Sequence, residues 1–127
     1  MEFDFLSPVD NEIIQYINGL STQHLGSKVV FHTDKEFPDI DKVKIAIIGV
    51  LENRGAVNYV DDEVYLYEVR KELYSLFPGN WHSSIADLGD IISGNSLEDT
   101  FFALQKVAAK LIRIGVIPII IVSTLQA

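Results

Sequence analysis

Asp87 and Asp90, three residues apart in "IADLGD", are the carboxylates of this chain whose spacing could serve chemistry. Two aspartates at the end of an apolar, strand-like run can begin a metal site, because hard cations take carboxylate oxygens. The same positions suit turn and capping aspartates, whose side chains satisfy backbone donors, and that use is the commoner one. A second candidate is the loop in "GVLENRG", which lies beyond the carboxyl end of another apolar run, where an open α/β sheet binds its ligand. Its glycines, Gly49 and Gly55, match neither the dinucleotide fingerprint nor the phosphate loop with its lysine and hydroxyl. Asn53, Arg54 and Gly55 therefore either build a plain turn or meet a ligand or a subunit.

The other reactive side chains do not assemble locally. His24, His32 and His82 fall in separate loop or edge segments, without the H-x-x-x-H or H-x-D spacing that brings two ligands onto one ion, and read as ordinary surface histidines. No serine stands in a G-x-S-x-G elbow. Tyr59, Tyr65, Tyr67 and Tyr74 crowd one helical segment, where tyrosines at such spacing anchor a core or an interface more often than they act as acids. No catalytic, cofactor-binding or metal-ligating residue is assigned, and Asn53, Arg54, Asp87 and Asp90 remain as candidate ligand or interface positions.

A chain of 127 residues, 48% of them hydrophobic, holds one domain with a modest core. Eighteen acidic against ten basic residues give a formal charge of -8, which repels a phosphate backbone and excludes a general nucleic-acid binder. The absence of cysteine removes disulfides, thiolate metal sites and a cysteine nucleophile. "MEFDFLSPVD" lacks the basic start and apolar run of a signal peptide, and the last apolar stretch is too short to cross a bilayer. These features predict a cytoplasmic protein without membrane or nucleic-acid partners.

The elements that would position the candidate residues follow from periodicity. In an N-terminal extension, residues 1–42, "SPVDNEIIQYINGL" reads as a helix capped by Ser7 with Pro8 in its first turn, and "KVVFH" as a candidate edge strand. The core, residues 43–122, opens with the β-branched run from Val43 to Val50. A helix follows in "DDEVYLYEVRKELYSLF", with Val64, Tyr67, Leu73 and Leu76 on its apolar stripe. "SSIADLGD" is a second strand. "GNSLEDTFFALQKVAAKLIRIG" is the clearest helix, capped at Asn95 or Ser96, with Leu97, Phe101, Leu104, Ala108 and Leu111 facing inward and Gly115 as its stop. Val116–Val122 forms a third strand that reads as buried on both faces, and residues 123–127 are a tail. Strand, helix, strand, helix, strand predicts a three-layer α/β fold, a partial doubly wound, Rossmann-like parallel sheet in the order 2-1-3. The third strand is then an unpaired edge, and a homo-oligomer formed through it or the adjacent helices is the simplest cover.

Taken in order, "KIAIIGVLENRGAVN", Val69–Arg70, Asp87-x-Gly89-Asp90 and the run through Gly115, Pro118, Ile119 and Ile121 resemble the N-terminal half of the ureohydrolase family, the arginases, agmatinases and formimidoylglutamases, and most closely the last. The resemblance covers roughly residues 43–122. It implies an arginase-like α/β domain whose relatives hydrolyse a guanidinium or formimino carbon with two manganese ions. In the family the third strand continues into G-G-(D/S)-H, whose histidine is the first metal ligand. Here Val122, Ser123 and Leu125 stand near those positions, and the later ligand motifs are lacking. The expectation is an interrupted or fragmentary hydrolase homologue that binds no cofactor and does not catalyse on its own. The alternatives are a stand-alone α/β module that binds a ligand or protein in the cleft above Gly49 and Asp90, or one half of a split hydrolase.

Overall fold

The computed structural model describes residues 2–51, 62–80 and 83–122. Asn53, Arg54, Gly55, Tyr59, His82, Leu125 and the 123–127 tail lie outside the described residues. The described chain is an α/β protein with a mixed, open five-stranded sheet and three helices. Its elements are β1 (Leu6–Ser7), α1 (Asn11–Asn18), β2 (Val29–Phe31), β3 (Ile45–Val50), α2 (Asp62–Tyr74), β4 (Ile85–Ile91), α3 (Leu97–Arg113) and β5 (Ile117–Val122).

The sheet differs from the three-stranded, wholly parallel 2-1-3 sheet expected. Its order is β1–β4–β3–β5, with β2 also paired to β4, so β4 has neighbours along both edges. On the edge away from β3, β2 runs parallel beside the first half of β4, from Val29 opposite Ile85 to Phe31 opposite Asp87. β1 runs antiparallel beside the second half, with Leu6 opposite Ile91 and Ser7 opposite Asp90. Ser7, expected as a helix cap, is thus a strand residue. Asp10 caps α1 instead, its carboxylate accepting from the Glu12 N–H at 2.8 Å.

Alternation along β3 and β4 sends side chains into two separate cores. Ala46 and Ile48 of β3, with Ala86 and Leu88 of β4, pack under Ala103, Val107 and Leu111 of α3. Ile47 and Ile85 pack on the opposite face with Ile13 and Ile17 of α1 and Tyr74 of α2. The result is three layers, α3 on one side of the sheet and α1 with α2 on the other.

Both long helices bury a face turned partly from the stripes expected of them: Tyr67 and Leu73 of α2 and Leu104 of α3 pack at the margin of the core, and Leu111 is buried. Leu66, Arg70 and Tyr74 face inward on α2, whereas Leu76 beyond its end is 57% exposed; the side chain of Val64 lies outside the described ones. The rotation follows from an arginine that the sheet takes inward. On α3 the buried residues are Thr100, Ala103, Val107 and Leu111, and Phe101 is 46% exposed. Ser96 caps α3, its hydroxyl accepting from the Asp99 N–H. β5, expected to be covered on both faces, leaves Ile117 61% and Ile120 40% exposed, because only β3 pairs with it among the described residues.

Candidate functional site

The D-x-G-D stretch of β4 carries a β-bulge. Between Ile47 and Gly49 β3 advances two residues while β4 advances three, from Asp87 to Asp90. A regular strand would send side chains three apart to opposite faces, because its period is two. The extra residue resets that phase, and Asp87 and Asp90 both turn towards α2. Gly89 makes the bulge, at φ 92°, a left-handed conformation that a side chain resists. A Cβ there would also collide with the Ser7 carbonyl of β1.

One cation meets the two carboxylates. Arg70 donates from Nε to Asp87 Oδ2 at 2.7 Å and from Nη2 to Asp87 Oδ1 at 2.9 Å, the planar fork that guanidinium offers a carboxylate. Its Nη1 stands 2.8 Å from Asp90 Oδ1 as an ion pair without hydrogen-bond alignment, and Asp90 Oδ1 has no hydrogen-bond donor among the described residues. Tyr74, one turn beyond Arg70, donates its hydroxyl to Asp87 Oδ2 at 2.5 Å. Gly49 of β3 leaves the space that Asp90 occupies; a Cβ there would collide with Asp90 Oδ1.

The bulge frees backbone carbonyls, and each finds a donor. Arg70 Nη2 reaches the Gly89 carbonyl at 3.2 Å. His32, just past β2, donates from Nδ1 to the Leu88 carbonyl at 2.8 Å, while its backbone N–H donates to the Asp87 carbonyl. His32 therefore bridges the gap between β2 and β1 along β4, and is not a plain surface histidine. His24 bonds Ser21 elsewhere.

Electrostatics sort the members of the cluster. Burial alone would lower the Arg70 pKa, but Asp87 and Asp90 override it and hold the guanidinium charged. Burial, followed by the charge of Asp87, pushes the Tyr74 phenol well above its usual range, so it stays a donor. Asp90 is raised from 3.8 chiefly by burial, which outweighs the attraction of Arg70. Asp87 is fully buried and Asp90 is 8% exposed.

Asp90 and Arg70 also line a cavity of about 190 Å³ at the carboxyl ends of β3 and β4, together with Ser7, Asp10, Leu51 and Tyr67. This is the position expected of a ligand crevice in an open α/β sheet. The Ser7 hydroxyl is turned to the Asp90 carbonyl at 3.1 Å, and the described residues that line the cavity include no histidine. Among the described residues no group of three or more His, Asp or Glu is placed to hold a metal ion. Asp87 and Asp90 come together, but around an arginine. Sequence reading missed Arg70, Tyr74 and His32 as members. The available signal was Arg70 and Tyr74 at helical spacing opposite two acids whose burial required a cation.

Fold and site define a three-layer α/β protein held by a buried arginine–carboxylate cluster at a bulged central strand. Comparison with protein-family models, with curated proteins and with solved structures gives no match. No described helix is long and apolar enough to cross a membrane.

Proposed function

We propose that the chain is a non-catalytic assembly module, built like the N-terminal half of a doubly wound, ureohydrolase-like α/β domain and acting in the cytoplasm. Its sheet is completed across β5 by another polypeptide. The observation that carries this reading is β5 itself: Ile117, Ile119 and Ile120 are 61%, 45% and 40% exposed on a strand without a charged residue. Natural sheets cover or charge such an edge. The buried cluster supports the reading from the other side. Arg70 Nε and Nη2 are taken up by Asp87 and the Gly89 carbonyl, and Asp87 is sealed from solvent, as suits a cluster that locks the fold.

The test uses the purified chain at concentrations low enough to keep it monomeric. It should bind an apolar reporter dye strongly and, with added manganese, release no urea, ammonia or formamide from arginine, agmatine or formiminoglutamate. A monomer that ignores the dye, or that turns over any of these substrates, overturns the proposal.

The cavity beside Asp90 favours a second reading, a small-ligand module. Its expected sign is saturable thermal stabilisation by one member of a panel of small amines. That stabilisation should vanish in Asp90→Asn.

A further inference from the structure

The outer edge of β5, unpaired among the described residues, does not stand alone. α3 carries a second apolar stripe, Leu97, Phe101, Leu104, Ala108 and Ile112, at helical spacing of three and four. Its direction follows from the rest of the helix. Thr100, Ala103, Val107 and Leu111 face the sheet. Asp99 and Phe102 line a cavity with Asp4 and Phe5, on the flank towards β1. At 100° per residue the second stripe falls on the opposite flank, the side of β5. Phe101 and Ile112 there are 46% and 65% exposed. Leu104 of this stripe packs at the margin of the core, so what the flank exposes is Phe101 and Ile112, on the same side as the β5 edge that no described residue pairs, and this is the contact one β/α unit makes with the next.

The edge itself dictates a register. Ile117 donates its N–H to the Lys44 carbonyl in the approach to β3, so the odd-numbered residues of β5 bond inward and Pro118, Ile120 and Val122 point outward. Pro118 offers no donor on that outer edge. An antiparallel neighbour centred on Ile120 places each proline opposite a Val122, at the ends of the ladder, and keeps the two central bonds. Identical strands satisfy this arrangement.

We infer that two copies of the chain associate about a two-fold axis at Ile120, β5 antiparallel to β5 and α3 against α3, to give one sheet continuous through both. The inference rests on the proposed assembly role and names its partner. Antiparallel α3 helices set Phe101 against the small Ala108 of the second copy and Leu97 against Ile112, so the seam is apolar along its length. Charge fits as well. α3 begins with Glu98 and Asp99 and ends with Lys110 and Arg113, so in the antiparallel pair the helix dipoles oppose. β5 itself carries no charged residue that would oppose the pairing.

Light scattering across a concentration series, with amide exchange on the same samples, decides it. The expected result is a dimer in which the Ile120 and Val122 amides are as protected as those of Ile119 and Ile121. Ile112→Glu, on an exposed helix position that leaves the core intact, should weaken the dimer about 100-fold or more, because a two-fold interface suffers the change twice. Ile92→Glu, 57% exposed on the flank towards β1, should leave it unchanged. A dimer indifferent to Ile112→Glu but broken by Ile92→Glu overturns the inference. So does a monomer at the highest concentration; if that monomer still binds the apolar dye the assembly reading stands with a different partner, and if it does not, both fall.

Discussion

Arg70 is the residue on which the buried cluster turns, because it is the cation that Asp87 and Asp90 share. Arg70→Met leaves two buried carboxylates uncompensated and should lower stability by about 3–5 kcal/mol, read from urea unfolding midpoints. Tyr74→Phe removes a hydrogen bond to a charged acceptor and should cost about 1.5–3 kcal/mol by the same measurement. His32→Phe keeps the ring contact with Phe37 but deprives the Leu88 carbonyl of its donor, and should cost about 1–3 kcal/mol. Asp90 behaves differently. Its folded-state pKa is raised above 3.8, so in the window just above that value the native state binds more protons than the unfolded one. Stability should therefore fall as pH rises through the folded-state pKa, and Asp90→Asn should flatten that part of the profile. A stability that rises there instead would show that Arg70, not burial, governs Asp90.

At the level of elements, the bulge in β4 and the rotation of α2 are one event. A helix that places Arg70 inward needs two acids on the facing strand, and only the bulge at Gly89 puts Asp87 and Asp90 on one face. Gly89→Ala forces a side chain into the left-handed region and against β1. It should strip β1 from the sheet, seen as faster exchange of the Asp90 amide and a drop in melting temperature. The order of the core elements from β3 onward was readable from their periodicities, and the cap at Ser96 from its position before an acidic turn. The facing of α2 and α3 was not. Each helix carries more apolar residues than one face can bury, so periodicity alone offered two stripes and the sheet chose between them.

For the molecule as a whole, the uneven dressing of the sheet is the governing feature. β4, with two aspartates, is buried from end to end, whereas β5, which carries no charged residue, lies half open. If the open side is closed by a second copy, melting temperature should rise with protein concentration in the wild-type chain and stay constant in Ile112→Glu. That comparison separates association from any intrinsic change in the fold.

The sequence by itself determined the α/β class, the order of the core elements from β3 to β5 and the presence of two aspartates at the end of a strand, because each depends on local periodicity and spacing. Only tertiary structure decided what those aspartates do. Their convergence requires one inserted residue in β4, a bare backbone at Gly49, and an arginine delivered from a helix seventeen positions away from Asp87. It also decided that β1 and β2 share one edge of β4, since two- and three-residue strands carry too little pattern to announce a partner. Pairing and burial are long-range, and their energies appear only when distant segments meet.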